Sequence, residues 1–417
     1  MLMSGPTACA ATSRKGTVTA MLNPRLEELS DYAFQRLAAL LAPLEPPPDL
    51  EPIDLSIGSP LHPPPQLLLD TLAEHGQLWN RYPPIVGTPA LREAAADWLG
   101  RRYGLPAGTI DPTRHVLAVA GTKEALYLLA QVIMPDAKAG AKPAILLPNP
   151  LYNVYLGAAV MAGAEPVLLT ASAETGHLPD LDRLSPALLA RTVAFYLCSP
   201  SNPQGAAAGL DYLGRALELA RRHDFLLIAD ECYAELYTRE PPAGALQAAM
   251  RLGRSLDHLV VCHSLSKRSS AAGLRSGFVA GDPAVMAGFA RLRSYAAAVQ
   301  PLPVAAAAAA LWRDEAHVEA NRALYRKKFD LAEERLGGRF GFYRPDGGFF
   351  LWLTVADGEA AARRLWTEAA IKVLPGAYLG RPDERGDNPG DGAIRVAMVH
   401  DLETTDAALR RIAATLD

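Results

Sequence analysis

The segment HSLSKRSSAAGLRSGFVAG, residues 263–281, places Lys267 among serines, with Arg275 further along the same stretch. Apolar runs flank it on both sides, HLVV before and GFVAG within its end, and both have the composition of buried strands. A lysine in a protein core costs free energy unless it is paired or neutral. The segment therefore predicts a site for a negatively charged ligand within reach of the Lys267 amine.

The composition is that of an ordinary globular protein. Of 417 residues, 50% are hydrophobic and 21% charged, and 41 Lys and Arg against 45 Asp and Glu give a net charge of −4. This balance supports a large core and argues against a nucleic-acid surface. The 4 cysteines show no CxxC spacing, which favours a reducing cytoplasm over a disulfide framework or a metal site. No apolar run of the sequence approaches the ~20 residues that a membrane span needs.

Strand-like apolar runs alternate with segments of helical periodicity. The strand-like runs are HVLAVAG, AILLP, PVLLT, TVAFYLCSP, FLLIADE, HLVVCHSLS and SGFVAG. Their continuous hydrophobicity predicts strands covered on both faces, hence an α/β fold with a mostly parallel sheet. Such sheets bind ligands beyond the carboxyl ends of their strands, so the polar residues that end these runs are the candidates for a site.

Proline-rich connectors suggest how the chain is divided. PLEPPPDLEP, residues 43–52, and LHPPP, residues 61–65, read as extended linkers. We expect a disordered tail at 1–21, an N-terminal arm with part of a small domain at 22–65, a large ligand-binding domain at 66–303 and a small α+β domain at 304–417. In the last, PVAAAAAALW begins a long helix, and GGFFLWLTV and AIRVAMV are strands.

Two of the strand-like runs end in turns that carry donors. Gly121, Thr122 and Lys123 open a helix, where main-chain N–H groups, a hydroxyl and the helix dipole favour an anion. Taken alone, the simpler interpretation is that Thr122 caps the helix. Asn202 precedes a proline and is either a turn residue or a hydrogen-bond donor into a pocket.

Two further residues extend this set. Asp230 ends the run FLLIAD, so it is either a buried carboxylate that needs a cationic partner or a helix cap. Tyr152 follows AILLP and is either a core residue or a ring that stacks on a flat ligand.

Together these residues match one ligand. A helix N-terminus, serines and Arg275 suit a phosphate, and Asp230 suits a protonated ring nitrogen. Tyr152 suits the face of a ring, and Lys267 suits a Schiff base. Pyridoxal 5′-phosphate combines a phosphate, a pyridine nitrogen and an aldehyde, and we predict it as the cofactor.

The chain also resembles a known family. The order and spacing of GTKEAL, NPLYNVY, SPSNPQG, DECY, SLSKRSSAAGLRSG and AIRVAMV are similar to those of the class I/II pyridoxal-phosphate-dependent aminotransferases of fold type I, from about Asn23 onward. The segments RYPPIVGTPALR and SLSKRS resemble the succinyldiaminopimelate aminotransferase group. The resemblance implies a seven-stranded sheet in the large domain and a transaminase.

The resemblance also implies roles around the cofactor ring. Lys267 forms the Schiff base and later moves the proton from the substrate Cα. Asp230 pairs with the ring nitrogen, Tyr233 and Asn202 hydrogen-bond the ring 3′ oxygen, and Tyr152 stacks on the ring.

For the phosphate, the resemblance implies main-chain and side-chain donors, together with a residue from a second subunit. The donors are Gly121, Thr122, Lys123, Ser264, Ser266 and Arg275. Tyr82 matches a tyrosine that reaches the phosphate of the partner subunit, which implies a homodimer with shared active sites.

For the substrate, the resemblance implies that Arg395 binds the α-carboxylate, with Gly58 and Asn202 beside it. Glutamate is the expected donor, and N-succinyl-2-amino-6-oxopimelate, in lysine and diaminopimelate biosynthesis, is a candidate oxo-acid acceptor. A long substrate of this kind needs a distal cation. The candidates are Arg268, Arg291 and Arg293, each with the alternative role of a surface ion-pair residue.

Two departures from the family pattern bear on the reaction. Tyr295 stands where aspartate-binding relatives carry an arginine, and SSAAG follows the lysine where relatives often have asparagine and proline. The first departure argues against a dedicated specificity for aspartate. Because this fold does not determine the reaction, a C–S β-lyase is kept as an alternative. A regulator that binds the cofactor without chemistry is a weaker one, because about twenty residues before the fold are too few for a winged helix.

Overall fold

The seven strand-like runs of the sequence all form strands. The computed structural model of the chain describes residues 21–29, 32–296, 298–383 and 385–417, so residues 1–20 of the predicted tail lie outside it. Its strands are β1 (Ile53–Asp54), β2 (Val116–Val119), β3 (Ala144–Asn149), β4 (Glu165–Thr170), β5 (Thr192–Cys198), β6 (Leu226–Asp230), β7 (Leu259–Ser264), β8 (Gly277–Gly281), β9 (Phe350–Thr354), β10 (Ile371–Lys372), β11 (Leu374–Pro375) and β12 (Ala393–Ala397).

The α-helices lie between and after these strands. They are α1 (Ala33–Leu41), α2 (Gln66–Glu74), α3 (Pro89–Tyr103), α4 (Thr122–Val132), α5 (Asn153–Ala162), α6 (Pro186–Arg191), α7 (Leu210–Arg222), α8 (Ala245–Arg251), α9 (Leu265–Arg268), α10 (Pro283–Ala296), α11 (Leu302–Arg313), α12 (Ala316–Leu336), α13 (Gly358–Ala369) and α14 (Leu402–Leu416). Of the helices described, none is both long and apolar enough to cross a membrane.

Strands β2 to β8 form one seven-stranded sheet in the order β2-β8-β7-β6-β5-β3-β4. The pairs β3–β4, β3–β5, β5–β6 and β6–β7 are parallel, whereas β8 is antiparallel to both β7 and β2. The predicted α/β fold with a mostly parallel seven-stranded sheet is therefore confirmed. Because β7 and β8 are antiparallel neighbours, the chain reverses between them, and this reversal carries Lys267 and Arg275.

Both faces of this sheet are covered, as continuous hydrophobicity predicts. In β6, Leu226 and Ile228 belong to one core, and Leu227 and Ala229 belong to the core on the opposite face. Alternate residues of a strand point to opposite faces, so each apolar side chain of the run is removed from water. Each such side chain contributes roughly 1.5–3 kcal/mol on burial.

The alanine-rich segment forms a helix that is shorter than expected. We predicted one long helix from PVAAAAAALW onward, but α11 ends at Arg313 and α12 begins at Ala316. Glu315 is the N-cap residue of α12, and the Asp314 carboxylate just before it accepts a hydrogen bond from the His317 N–H of the first turn at 3.0 Å. The alanines of α11 pack against α2 and α3, in the core of the large sheet.

Two smaller sheets follow. Strands β11, β12 and β9 are antiparallel, and β1 pairs in parallel with β10. The N-terminal arm is thus joined to the C-terminal part of the chain by the pairing of β1 with β10. The four domain ranges stay a prediction. Cys198, Cys232 and Cys262 are free thiols, and Cys9 lies outside the described residues.

A buried carboxylate connects the large sheet to the long helix α12. Glu235, 5% exposed, bonds Arg102 of α3 at 2.5 Å and Arg322 of α12 at 3.0 Å. The two guanidinium groups are themselves 12% and 7% exposed. Loss of the carboxylate would leave two poorly hydrated cations without their shared counter-ion.

We expect Glu235→Ala to lower the free energy of unfolding by about 3–5 kcal/mol, the usual cost of breaking a buried ion pair from one side. Urea denaturation of the variant and the wild type measures this. Asp211→Ala is the matched control, since its pair with Arg251 is exposed, at 93% and 58%, and should cost no more than about 1 kcal/mol. Equal losses in both variants would contradict the assignment.

Candidate active site

One cavity lies beyond the carboxyl ends of the parallel strands, with a volume of about 340 Å³. Most of the predicted site residues line it. They are Gly58, Thr122, Lys123, Tyr152, Asn202, Asp230, Tyr233, Ser264, Ser266, Lys267, Arg275 and Arg395. Thus residues from 58 to 395 converge on a single volume.

The sheet explains this convergence. Thr122 follows β2, Tyr152 follows β3, Asn202 follows β5, Asp230 ends β6 and Ser264 ends β7. The carboxyl ends of these strands meet at one edge of the sheet. Arg395 comes from β12 of the smaller antiparallel sheet, where it pairs with Trp352 of β9.

The amine of Lys267 is held in a poorly hydrated position. Its Nζ donates to the Gly58 carbonyl oxygen at 2.6 Å and lies 5.0 Å from the centre of the Phe349 ring. Burial lowers the pKa of Lys267 to about 8, and the charges of Arg395 and Arg275 act in the same direction. A useful fraction of the amine is therefore neutral near pH 7–8, as a nucleophile requires.

Asp230 is buried at the end of β6, with 3% of its surface exposed. Its carboxylate accepts hydrogen bonds from the Tyr155 hydroxyl at 2.7 Å and from the Cys232 N–H at 3.3 Å. Burial raises the pKa of Asp230, although both hydrogen bonds oppose the shift. The carboxylate accepts from neutral donors only in the described structure, so a ring N–H⁺ in the cavity would complete its environment.

An anion cradle lies at the start of α4. Gly121 has a φ of +83°, a left-handed conformation that favours glycine, and the Arg275 guanidinium packs where a Cβ would lie. Ser264 caps α9, and its Oγ accepts from the Ser266 N–H at 3.1 Å and lies 3.0 Å from the Ser266 Oγ. Two hydroxyls, a guanidinium and helix N–H groups together suit a phosphate.

Arg395 is the second buried cation of the cavity, with 3% of its surface exposed. Its guanidinium donates to the Asn202 Oδ1 at 3.0 Å and to the Ser56 carbonyl oxygen at 2.6 Å, and lies 4.2 Å from the centre of the Phe350 ring. The Nε has no hydrogen-bond partner among the described residues. Burial lowers the pKa of Arg395 to about 10, as expected of a guanidinium that no carboxylate of the described chain neutralises.

The segment around Gly58 lies between these two cations. A Cβ at Gly58 would meet the Phe350 ring, so only glycine lets this main chain pass close enough for its carbonyl to reach Lys267. Tyr233, 6% exposed, packs its ring edge-on against Phe349, at 5.5 Å between ring centres. Tyr233 also lines the cavity.

Sequence reasoning missed four aromatic residues of the cavity, Tyr32, Phe34, Tyr155 and Phe350. Tyr155 was identifiable in principle, because a buried Asp230 needs a donor and NPLYNVY carries a second tyrosine one helical turn after Tyr152. Tyr32 directly precedes α1, and Phe34 lies in its first turn. Nothing in the local sequence pattern distinguishes these two residues from ordinary helix residues.

Tyr82 and the candidate distal arginines lie elsewhere. The Tyr82 side chain is fully exposed and does not line the cavity. Arg268 is 1% exposed and bonds Glu315 at 2.7 Å, and Arg293 is equally buried and bonds Glu124 at 2.8 Å. Their alternative interpretation as ion-pair residues is correct, but the expected surface position is wrong for both.

These residues fit pyridoxal phosphate. The cavity is lined by a buried carboxylate for a ring nitrogen, by Thr122, Ser264 and Arg275 for a phosphate, and by a lysine with a lowered pKa for an aldehyde; Gly121 directly precedes Thr122 but is not part of the lining. Among the described residues, no group of three or more His, Cys, Asp or Glu is arranged to hold a metal ion.

Comparison with known proteins agrees with this geometry. The family model "Aminotransferase class I and II" matches residues 51–412. The chain is 34% identical, over 86% of its length and 92% of the relative, to the 4-dedimethylamino-4-oxo-anhydrotetracycline transaminase of Streptomyces rimosus. It is 28% identical, over 94% of its length and 97% of the relative, to the LL-diaminopimelate aminotransferase of Desulforudis audaxviator.

Solved structures extend the likeness to the fold. The crystal structure of an aminotransferase from Neisseria meningitidis has a TM-score of 0.90 and 39% identity, and the match covers 95% of this chain and 100% of that one. An aminotransferase from Helicobacter pylori has a TM-score of 0.85 and 32% identity, over 93% and 98% of the two chains. The chain therefore belongs to the class I and II aminotransferases and is a pyridoxal-phosphate-dependent transaminase of fold type I.

Proposed function

We propose that the cavity residues divide the work of transamination as their positions suggest. When bound, pyridoxal phosphate supplies an aldehyde that takes up the amino group and a ring that withdraws electrons from the substrate Cα. Lys267 would attach the cofactor, and its Nζ, when not attached, would remove the proton from the substrate Cα. The lowered pKa of Lys267 supports this role, because a base near its operating pH transfers protons efficiently.

The remaining residues hold the two ligands. Asp230 accepts the ring N–H, Tyr233 and Asn202 bond the ring 3′ oxygen, and Tyr152 covers one ring face. The phosphate is held by Gly121, Thr122, Ser264, Ser266 and Arg275.

In this proposal the α-carboxylate of the substrate binds Arg395. The environment of the Arg395 guanidinium is the observation on which the proposal rests. A guanidinium that is 3% exposed, lines the cavity and retains an unpartnered Nε is suited to a ligand carboxylate. Gly58 and Asn202 lie beside it, and the Asn202 Oδ1 fixes the orientation of the fork at 3.0 Å. An amino acid and a 2-oxo acid share this carboxylate, so one clamp serves both half-reactions.

Glutamate is the proposed amino donor, and N-succinyl-2-amino-6-oxopimelate is a proposed acceptor. Both carry a second carboxylate. Since Arg268 and Arg293 are buried in ion pairs outside the cavity, Lys123 is the cation of the described lining that is left for it. Its Nζ lies at the mouth, 5.9 Å from the centre of the Tyr32 ring.

We expect Lys123→Met to reduce kcat/KM of the glutamate half-reaction about 10- to 100-fold, the worth of a hydrogen bond to a charged group. Alanine, which lacks a distal carboxylate, should react at an unchanged rate. The loss of the cofactor's visible absorbance on mixing measures both reactions, and Lys142→Met, at an exposed lysine outside the cavity, is the control.

Other outcomes are informative. If both amino acids slow together and cofactor retention falls, Lys123 binds the phosphate instead. If the wild type gives no half-reaction with any amino acid but releases ammonia and pyruvate from cystathionine, the β-lyase alternative replaces the proposed transamination of glutamate.

We further propose a cytoplasmic homodimer whose active sites are shared. Tyr82 is fully exposed, Trp79 is 58% exposed and Tyr295 is 89% exposed, which is a costly arrangement for aromatic residues facing water. Arg293 donates to the Ile85 carbonyl oxygen at 2.7 Å, which brings the Tyr82 segment close to the end of α10 that carries Tyr295. A second copy covering this surface would bury roughly 2,000–5,000 Å² in total, as obligate dimers do.

A mixing experiment tests the shared site. Lys267→Ala and Tyr82→Ala subunits, each inactive at limiting cofactor, are dissociated and reassociated together. One site of each heterodimer then carries both changes and the other carries neither, so activity should return. Heterodimers that form, as native mass spectrometry would show, but stay inactive would place Tyr82 outside the neighbouring site.

A further inference from the structure

A fully buried lysine outside the cavity has no obvious structural purpose. Lys328 of α12 is 0% exposed, and its Nζ contacts the His62 Nε2 at 2.6 Å and the Met398 carbonyl oxygen at 3.0 Å. Both partners are uncharged acceptors, and burial lowers the pKa of Lys328 to about 7. An apolar side chain would fill this position at a lower cost in free energy, because it has no polar group to remove from water. The presence of an amine here therefore suggests a role other than packing.

The hydrogen bonds around Lys328 determine one tautomer of His62. Asn321, seven residues earlier on the same face of α12, directs its Nδ2 at the carbonyl oxygens of Lys267 and Arg268, both at 3.2 Å. Its Oδ1 therefore faces the His62 Nδ1, at 2.9 Å, and this nitrogen must donate. The Nε2 is then free to accept from Lys328. Every member of the chain Lys328–His62–Asn321 is thus satisfied in one arrangement.

This chain ends at the main chain of the catalytic lysine. Lys267 and Arg268 close the single turn of α9, where the last carbonyl groups of a helix lack intrahelical partners. The Asn321 amide supplies a donor to both. It thereby holds the turn from which the Lys267 side chain projects.

The same segment of chain contacts the other end of Lys267. The Gly58 carbonyl accepts from the Lys267 Nζ at 2.6 Å, and four residues later His62 is fixed by Asn321 and by the Ser270 hydroxyl, which donates to the His62 carbonyl at 2.7 Å. Met398, the acceptor for Lys328, directly follows β12, the strand of Arg395. The hydrogen-bond network of His62, Asn321 and Lys328 therefore contacts three places. These are the main chain of Lys267, the segment after Gly58 and the residue that follows the Arg395 strand β12.

We propose that His62, Asn321 and Lys328 are positioning residues for the reaction. They fix the main chain of Lys267 against the Gly58 carbonyl and the Arg395 strand without touching cofactor or substrate. This inference rests on the proposed role of Lys267 as the attachment residue. A misplacement of reacting groups by about 1 Å costs on the order of 100-fold in rate.

Asn321→Leu tests the link to Lys267, because it keeps the volume and removes both donors. We expect the single-turnover rate of the glutamate half-reaction to fall about 10- to 100-fold, with KM changed much less, since Arg395 and Lys123 are untouched. The visible-band circular dichroism of the bound cofactor should also weaken, because it reports how rigidly the cofactor is held. Phe329→Leu is the matched control, because Phe329 is a fully buried neighbour of Lys328 on α12 whose side chain has no polar atom to hydrogen-bond with this network.

His62→Leu and His62→Asn keep the proposal testable if Asn321→Leu folds poorly, since His62 is only half-buried. His62→Leu should reproduce the slow half-reaction, and His62→Asn, whose amide N–H can still donate to Asn321, should recover much of the rate. Wild-type rates and dichroism in His62→Leu, or losses no larger than in Phe329→Leu, would overturn this inference alone. A wild-type enzyme whose bound cofactor is not attached to Lys267 would overturn the proposed function and this inference together.

Discussion

The structure keeps three charged groups out of water around one cavity, and the rest of the site follows from this constraint. Asp230 is met by a tyrosine hydroxyl and a main-chain N–H, Lys267 by a carbonyl, and Arg395 by an amide oxygen and a carbonyl. Each buried ion costs several kcal/mol unless a charge of opposite sign compensates it. A protonated ring nitrogen would compensate Asp230 and a substrate carboxylate would compensate Arg395, whereas the pKa of Lys267 is lowered to about 8, so that its amine can lose its charge.

The topology of the two sheets brings these three groups together. Parallel strands β3, β5, β6 and β7 deliver polar residues to one edge, and the reversal into antiparallel β8 turns Lys267 and Arg275 back over that edge. The smaller antiparallel sheet contributes Arg395 from the opposite side. Lys267 is thus held by the large sheet and Arg395 by the smaller one.

The sequence predicted the features that depend on local pattern. Continuous apolar runs identified β2 to β8, and the rule that ligands bind at the carboxyl ends of strands led from them to Asp230, Lys267 and Arg275. Contacts between distant segments were not predictable in this way. The Tyr155 bond to Asp230 spans 75 residues and the His62 bond to Asn321 spans 259, and the burial of Arg268 and Arg293 depends on how α11, α12 and α4 pack. The break between α11 and α12 was missed because Asp314, an extended residue between them, is neither glycine nor proline and gives no local stop signal.

The central claim is that Lys267 is the residue to which the cofactor is attached. Borohydride reduction of the cofactor-loaded protein, followed by peptide mapping, tests it most directly, because reduction makes the attachment permanent. The account predicts the label on the peptide that contains Lys267, and its loss in Lys267→Ala with the phosphate and ring contacts still able to bind the cofactor. A label on Lys123, on Lys328 or on no lysine would contradict it.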